Sequence, residues 1–120
     1  MASTIESNCA QEVPRAERIA RLNDTLRKTG TGGRIMITRG VRVLSDFEPS
    51  ELVQALAAYD QFDHFNDPHG ERDFGCIELW GAELIWKVDY YAPGLLLVSD
   101  DPADAAVTER VLTVLLAEEY

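Results

Sequence analysis

Histidine, cysteine and cationic side chains are all scarce in this chain of 120 residues: two His, two Cys, and 11 Lys+Arg against 21 Asp+Glu. Two cysteines, Cys9 and Cys76, cannot build a disulfide framework, so a reduced, cytoplasmic setting is expected. A formal net charge of −10 argues against a protein made chiefly to hold nucleic-acid phosphates, a task that needs excess cations. No apolar run approaches the roughly 18 residues needed to span a bilayer, so no membrane role is expected. The polar start carries Glu6 and Glu12 and lacks the basic-then-apolar order of a secretory signal.

What is present suits one ordinary globular core: 46% hydrophobic and 27% charged residues. The charge is unevenly placed. Residues 1–44 hold eight cations against four acids (+4), whereas residues 45–120 hold three against seventeen (−14). Such a dipole orients encounters with charged partners if folding does not cancel it.

Along the chain, residues 1–12 read as a flexible tail and 13–120 as a single α+β domain. Pro14 suits a first helical turn, and Ala16, Ile19, Leu22 and Leu26 recur at helical spacing, which predicts a helix over 14–28. Gly30 is placed to end it in the left-handed conformation. The glycine cluster Thr29–Gly33 follows a helix instead of opening one, so it reads as punctuation and not as a phosphate loop. Ile35–Thr38 and Val41–Leu44 suggest a short hairpin around Arg39-Gly40. Ser45 with Glu48 has capping-box spacing, and Pro49 also suits the start of a second helix running to about Phe62.

Residues 64–73 are rich in turn formers and predict a loop. Phe74–Trp80 and Glu83–Tyr91 flank Gly81-Ala82, which predicts a type II′ hairpin with Trp80 opposite Glu83. One face then carries Ile77, Leu79, Leu84, Trp86, Val88 and Tyr90, and the other carries Phe74, Cys76, Trp80, Ile85 and Tyr91. Leu95–Val98 reads as another strand, and Val107, Val111, Val114 and Leu115 as the stripe of a last helix. The expected fold is an antiparallel sheet of about four to five strands packed with two to three helices.

Several stretches together resemble an uncharacterised bacterial family, domain of unknown function 3768. They are Arg21–Asp24, Thr31–Arg34, Asn66–Pro68, Gly70–Gly75, Trp86–Tyr91, Ser99–Asp104 and Thr108–Thr113 through to Glu119-Tyr120, within roughly residues 17–120. Arg72 stands where the family pattern has histidine. The resemblance implies a small cytoplasmic protein often encoded on plasmids or other mobile DNA, with no established activity.

The loop concentrates the candidate chemistry. Asp63, Asp67, Glu71 and Asp73, with Trp80 as an apolar anchor, are the expected contacts to a basic protein or complex. His64, Asp67, His69, Glu71 and Asp73 carry donors that hard or borderline cations accept, so a metal-dependent hydrolase or nuclease is the runner-up. Their spacing fits no named metal motif, and no cofactor is expected. Cys76 as a nucleophile needs the cation Lys87 beside it, and Glu78 with Asp89 reads more simply as a cross-strand ion pattern than as an acid/base pair. A third reading is weak nucleic-acid binding through Arg15, Arg18, Arg21, Lys28, Arg34, Arg39 and Arg42. The favoured function is a non-catalytic, acidic protein-binding accessory protein of bacterial mobile elements. A nucleic-acid-mimicking inhibitor, its carboxylates spaced like phosphates, is one concrete form.

Overall fold

The computed structural model describes residues 13–120; the expected tail 1–12, with Cys9, lies outside the described residues. Helix α1 spans Arg15–Thr29, close to the expected limits. The Pro14 carbonyl accepts the Arg18 N–H at 3.0 Å, and Gly30 (φ 75°) closes the helix by donating to the Leu26 carbonyl at 2.8 Å. Its inward stripe is Ile19, Ala20, Asn23, Leu26 and Arg27, so two polar residues share the buried face with the apolar ones.

Strand β1, Arg34–Ile37, does not form the expected hairpin. It pairs in parallel with a strand from the chain's far end, and the Thr38 N–H extends that ladder to the Val114 carbonyl at 3.0 Å. The next residues coil into a single turn, α2 (Arg39–Arg42), which drives Val41 into the core. Gly40 lets the Glu119 carboxylate lie close against this turn, where a Cβ would push that side chain aside. Helix α3 spans Pro49–Ala58. Glu48, not Ser45, caps it by accepting the Ser50 N–H, and Leu52 and Leu56 face inward.

Strands β2 (Phe74–Leu79) and β3 (Ala82–Tyr91) form the expected hairpin with a different turn. Trp80 (φ 56°) and Gly81 (φ 73°) are both left-handed, as a type I′ turn requires, so Leu79 pairs with Ala82 and Ile77 with Leu84. The shift from the expected register is two residues. An even shift leaves every side chain on its expected face, and only Trp80 leaves the ladder.

The largest correction concerns the last third. Glu109–Leu116 is strand β4, not a helix. It lies between β1 and β3 in the order β1-β4-β3-β2, antiparallel to β3 and parallel to β1. The sheet is therefore mixed where an antiparallel one was expected. A strand buried on both faces reads as a continuous apolar run, whose periodicity does not separate it from a buried helix. Leu95–Val98 is not a strand either: Val98 makes a single bridge to Tyr91, and Leu96, Leu97 and Val98 are exposed.

All three helices cover one face, where Leu26, Val41, Leu52 and Leu56 meet Leu84, Trp86, Val88, Leu112 and Val114. Gly75 pairs with Trp86, and a Cβ at Gly75 would lie 2.4 Å from Trp86 Nε1 and 2.5 Å from the Tyr59 ring. Gly75→Ala is therefore expected to destabilise the fold by roughly 1–3 kcal/mol through overpacking. Chemical denaturation measures this, and a change within experimental error would contradict the close approach.

Candidate functional site

The loop between α3 and β2 is organised by its own side chains. Asp63 Oδ1 accepts the N–H groups of Phe65 (2.8 Å) and Asn66 (3.1 Å), and Asn66 Oδ1 accepts the Asp63 N–H at 3.0 Å. Asp67 Oδ1 accepts the Arg72 N–H at 2.9 Å. Short Asx side chains commonly satisfy turn donors in this way. Arg72 itself is held in a left-handed conformation (φ 52°), costly for a residue with a Cβ.

What holds Arg72 there is α1. Its guanidinium donates to both Glu17 and Asp24, at 3.0–3.2 Å. The hydrogen bonds Arg72 donates to Glu17 are the main cause of a raised Arg72 pKa, and the same contact keeps the Glu17 carboxyl below its ordinary range. The loop is thus pinned to the first helix by its one cation.

Beneath that contact lies a buried polar junction. Asn23, fully buried, donates to the Glu71 carbonyl (3.0 Å) and the Tyr90 hydroxyl (2.8 Å), and accepts from Arg110 Nε at 3.0 Å. The Tyr90 hydroxyl donates onward to the Glu71 carboxylate at 2.9 Å. Arg110, 1% exposed, also donates to the Pro102 carbonyl and stands 5.3 Å from the Tyr90 ring centroid. Burial raises the Tyr90 pKa and lowers that of Arg110, while the nearby Glu71 charge favours the protonated form of both.

The expected contact residues separate into two groups. Asp63, Asp67, Glu71 and Asp73 gather in the loop, with Asp63 exposed and the other three half-buried. Trp80 is not among them: it lies at the opposite end of β2, on the helix side, 5.4 Å from the Phe47 ring with Nε1 donating to Glu51 at 3.3 Å. It does not share the helix-free sheet face with Ile85 and Tyr91, because the I′ turn carries it over the edge.

The runner-up metal set fares differently. His64 stacks on Phe65 at 4.1 Å, and His64 and His69 are exposed. Among the described residues, no three His, Cys, Asp or Glu side chains are grouped so as to hold a metal ion. Cys76 is opposite Ile85, while Lys87 is opposite Phe74 and pairs with Asp89, so the thiol lacks the cation its nucleophile reading needs. Of the basic candidates, Arg15 pairs with Asp101 and Arg21 with Glu17. Arg18, Lys28, Arg34, Arg39 and Arg42 are exposed. No helix among the described residues is long and apolar enough to cross a membrane.

Over residues 37–119 the sequence matches the family described as "Protein of unknown function (DUF3768)". The chain belongs to this family. No curated protein and no solved structure matches it. Glu71-Arg72, Tyr90 and Arg110, distant from one another in sequence but all within the matched residues, meet in the junction described above; Asn23 and Asp24, which complete it, lie before the matched stretch.

Asn23, Tyr90 and Arg110 are absent from the sequence-level candidates. The available signal was Asn23, a polar residue at helical spacing between the apolar Ile19 and Leu26. Asn23→Ala is expected to cost roughly 2–3 kcal/mol, since it leaves buried Arg110 Nε without its acceptor and removes the donor to the Glu71 carbonyl and the Tyr90 hydroxyl. Urea unfolding measures it. Asp73 tests the opposite sign. Burial, then the Glu71 charge, raises its carboxyl pKa. A raised folded pKa means stability present below the unfolded value, near 4, and lost as pH rises through the folded one. Asp73→Asn should therefore stabilise the protein at neutral pH, with the gain fading in acid below the ordinary Asp range. A pH series of melting curves showing no neutral-pH gain would contradict it.

Proposed function

We propose that this DUF3768 protein is a non-catalytic binding module whose acidic side docks a basic segment of a partner protein in the cytoplasm. One observation carries the reading. Between Asp60 and Glu83 stand seven carboxylates (Asp60, Asp63, Asp67, Glu71, Asp73, Glu78, Glu83) and a single Lys or Arg, Arg72. Arg72 is turned inward to Glu17 and Asp24, and none of the seven forms an ion pair among the described residues.

Folding therefore spends the local cation on α1 and leaves the loop acids uncompensated. Such a surface attracts lysine- and arginine-rich surfaces over about a Debye length, speeds their docking, and repels nucleic-acid phosphates. An accessory protein of a mobile element that occupies a positive nucleic-acid groove, its carboxylates standing in for phosphates, is the specific form favoured here. The Arg72 contacts, the Asx turns and the Asn23 junction support it by making the loop a preorganised platform instead of a mobile chain.

The double variant Asp63→Asn with Asp67→Asn separates charge from structure, because each Asn keeps the Oδ1 that accepts the loop N–H groups. Its stability should stay within about 0.5 kcal/mol. Binding of a fluorescein-labelled oligolysine peptide, followed by anisotropy at low salt, should weaken by roughly two- to fivefold per charge removed, with a shallower salt dependence. Unchanged affinity would refute the reading.

A further inference from the structure

Strand β2 is at the edge of the sheet, and among the described residues no strand pairs with its outer side. The Val88 N–H donates to the Asp73 carbonyl at 2.9 Å, which sets the phase of the β2–β3 ladder. Residues 73, 75, 77 and 79 then spend their backbone groups on β3, while those of Phe74, Cys76 and Glu78 point away from the sheet. The Tyr59 ring packs over Gly75 at the start of this edge, so the open stretch centres on Cys76 and Glu78.

Beside this edge runs α3, antiparallel to β2: Glu51 near its start meets Trp80, and Tyr59 just past its end covers Gly75. Between helix and strand is a groove of about 450 Å³. Its helix side is apolar, formed by Ala55 and Ala58, with Asp60 just past the helix end, and its strand side carries Ile77, Glu78 and Glu83, with no cation in the lining. Glu78 and Glu83 are also direct cross-strand partners. By the phase above they occupy the closer, non-hydrogen-bonded kind of pair, where like charges repel.

We infer that this groove receives an extended segment of the partner, which adds to β2 as a further strand with apolar residues toward α3 and alternating lysines or arginines toward Glu78 and Glu83. The inference rests on the acidic-docking reading and narrows it to one place and one backbone conformation. Side chains of an added strand alternate between its two faces, so the groove's two unlike sides select a strict apolar–basic alternation. A cation over the Glu78–Glu83 pair relieves repulsion that the free protein leaves in place.

The test uses the full chain and a labelled peptide of about eight residues alternating Val and Lys. Its comparators are a peptide of the same composition with the lysines in one block, and two peptides N-methylated on alternate residues in the two possible phases. Expected results are at least tenfold tighter binding of the alternating peptide than the blocked one, and at least tenfold loss in one N-methylated phase. In addition, the Glu78 amide should become newly protected from hydrogen exchange by NMR. Glu78→Pro should reduce binding similarly, since the N–H it removes faces outward and proline is tolerated at such edge positions. The peptide comparisons need no variant, so a misfolded Glu78→Pro leaves them decisive. If alternating and blocked peptides bind equally, both methylated phases bind unchanged and Glu78 gains no protection, strand addition is refuted while the acidic-docking reading stands. If none of these peptides, nor oligolysine, binds at low salt, both fall together.

Discussion

A guanidinium removed from water must be answered by acceptors, and Arg110 sets that demand at the centre of this fold. It sits in one of the two inner strands of the sheet, on the face the helices cover, and forms no ion pair among the described residues. Its partners are neutral: the Asn23 side chain, the Pro102 carbonyl and the Tyr90 ring. Because Asn23 belongs to α1, Tyr90 to β3 and Glu71 to the loop, satisfying one buried cation ties four parts of the chain into one arrangement. A network of this kind contributes when every member has its partner and costs heavily when one is lost.

A second buried guanidinium does related work. Arg27 donates to the Leu56 and Tyr59 carbonyls at 2.8 and 2.9 Å, closing the end of α3, and pairs with Asp24 at 2.9 Å. Asp24 also holds Arg72. Arginines from three separate regions are thus drawn inward, and two of them converge on one carboxylate of α1. The exterior inherits what remains: carboxylates on the loop and on the β2 edge, and cations on the outer side of α1 and around β1. The unevenness visible in the sequence survives folding because the cation nearest the loop acids is the one that folding turns inward.

The same geometry gives the edge of β2 its character. Edge strands are usually blunted against pairing by charges, prolines or covering segments. Here two carboxylates, Glu78 and Glu83, stand as direct cross-strand partners at that edge, with Ala55 and Ala58 of α3 alongside. Under the proposed strand addition this edge would disfavour acidic strands and favour basic ones, so repulsion of wrong partners would add specificity to affinity.

Local signals carried the elements whose outcome depends on near neighbours. Pro14, the stripe Ile19–Leu26 and Gly30 determined α1; Pro49 started α3; Asp63, Asp67 and Gly70 made the loop; alternation assigned the two faces of the hairpin. Pairing over long range decided the rest. Val111, Val114 and Leu115 fit a helical stripe as well as a doubly buried strand, and only the placement of Glu109–Leu116 between β1 and β3 selects the strand. Ile35 and Val41 could pair locally, but β4 takes β1 in parallel and leaves Val41 to the core. Whether Arg72 faced the acids around it or the helix before it was likewise undetermined by the sequence, because Glu17 and Asp24 lie some fifty residues away and their approach is a property of the folded chain.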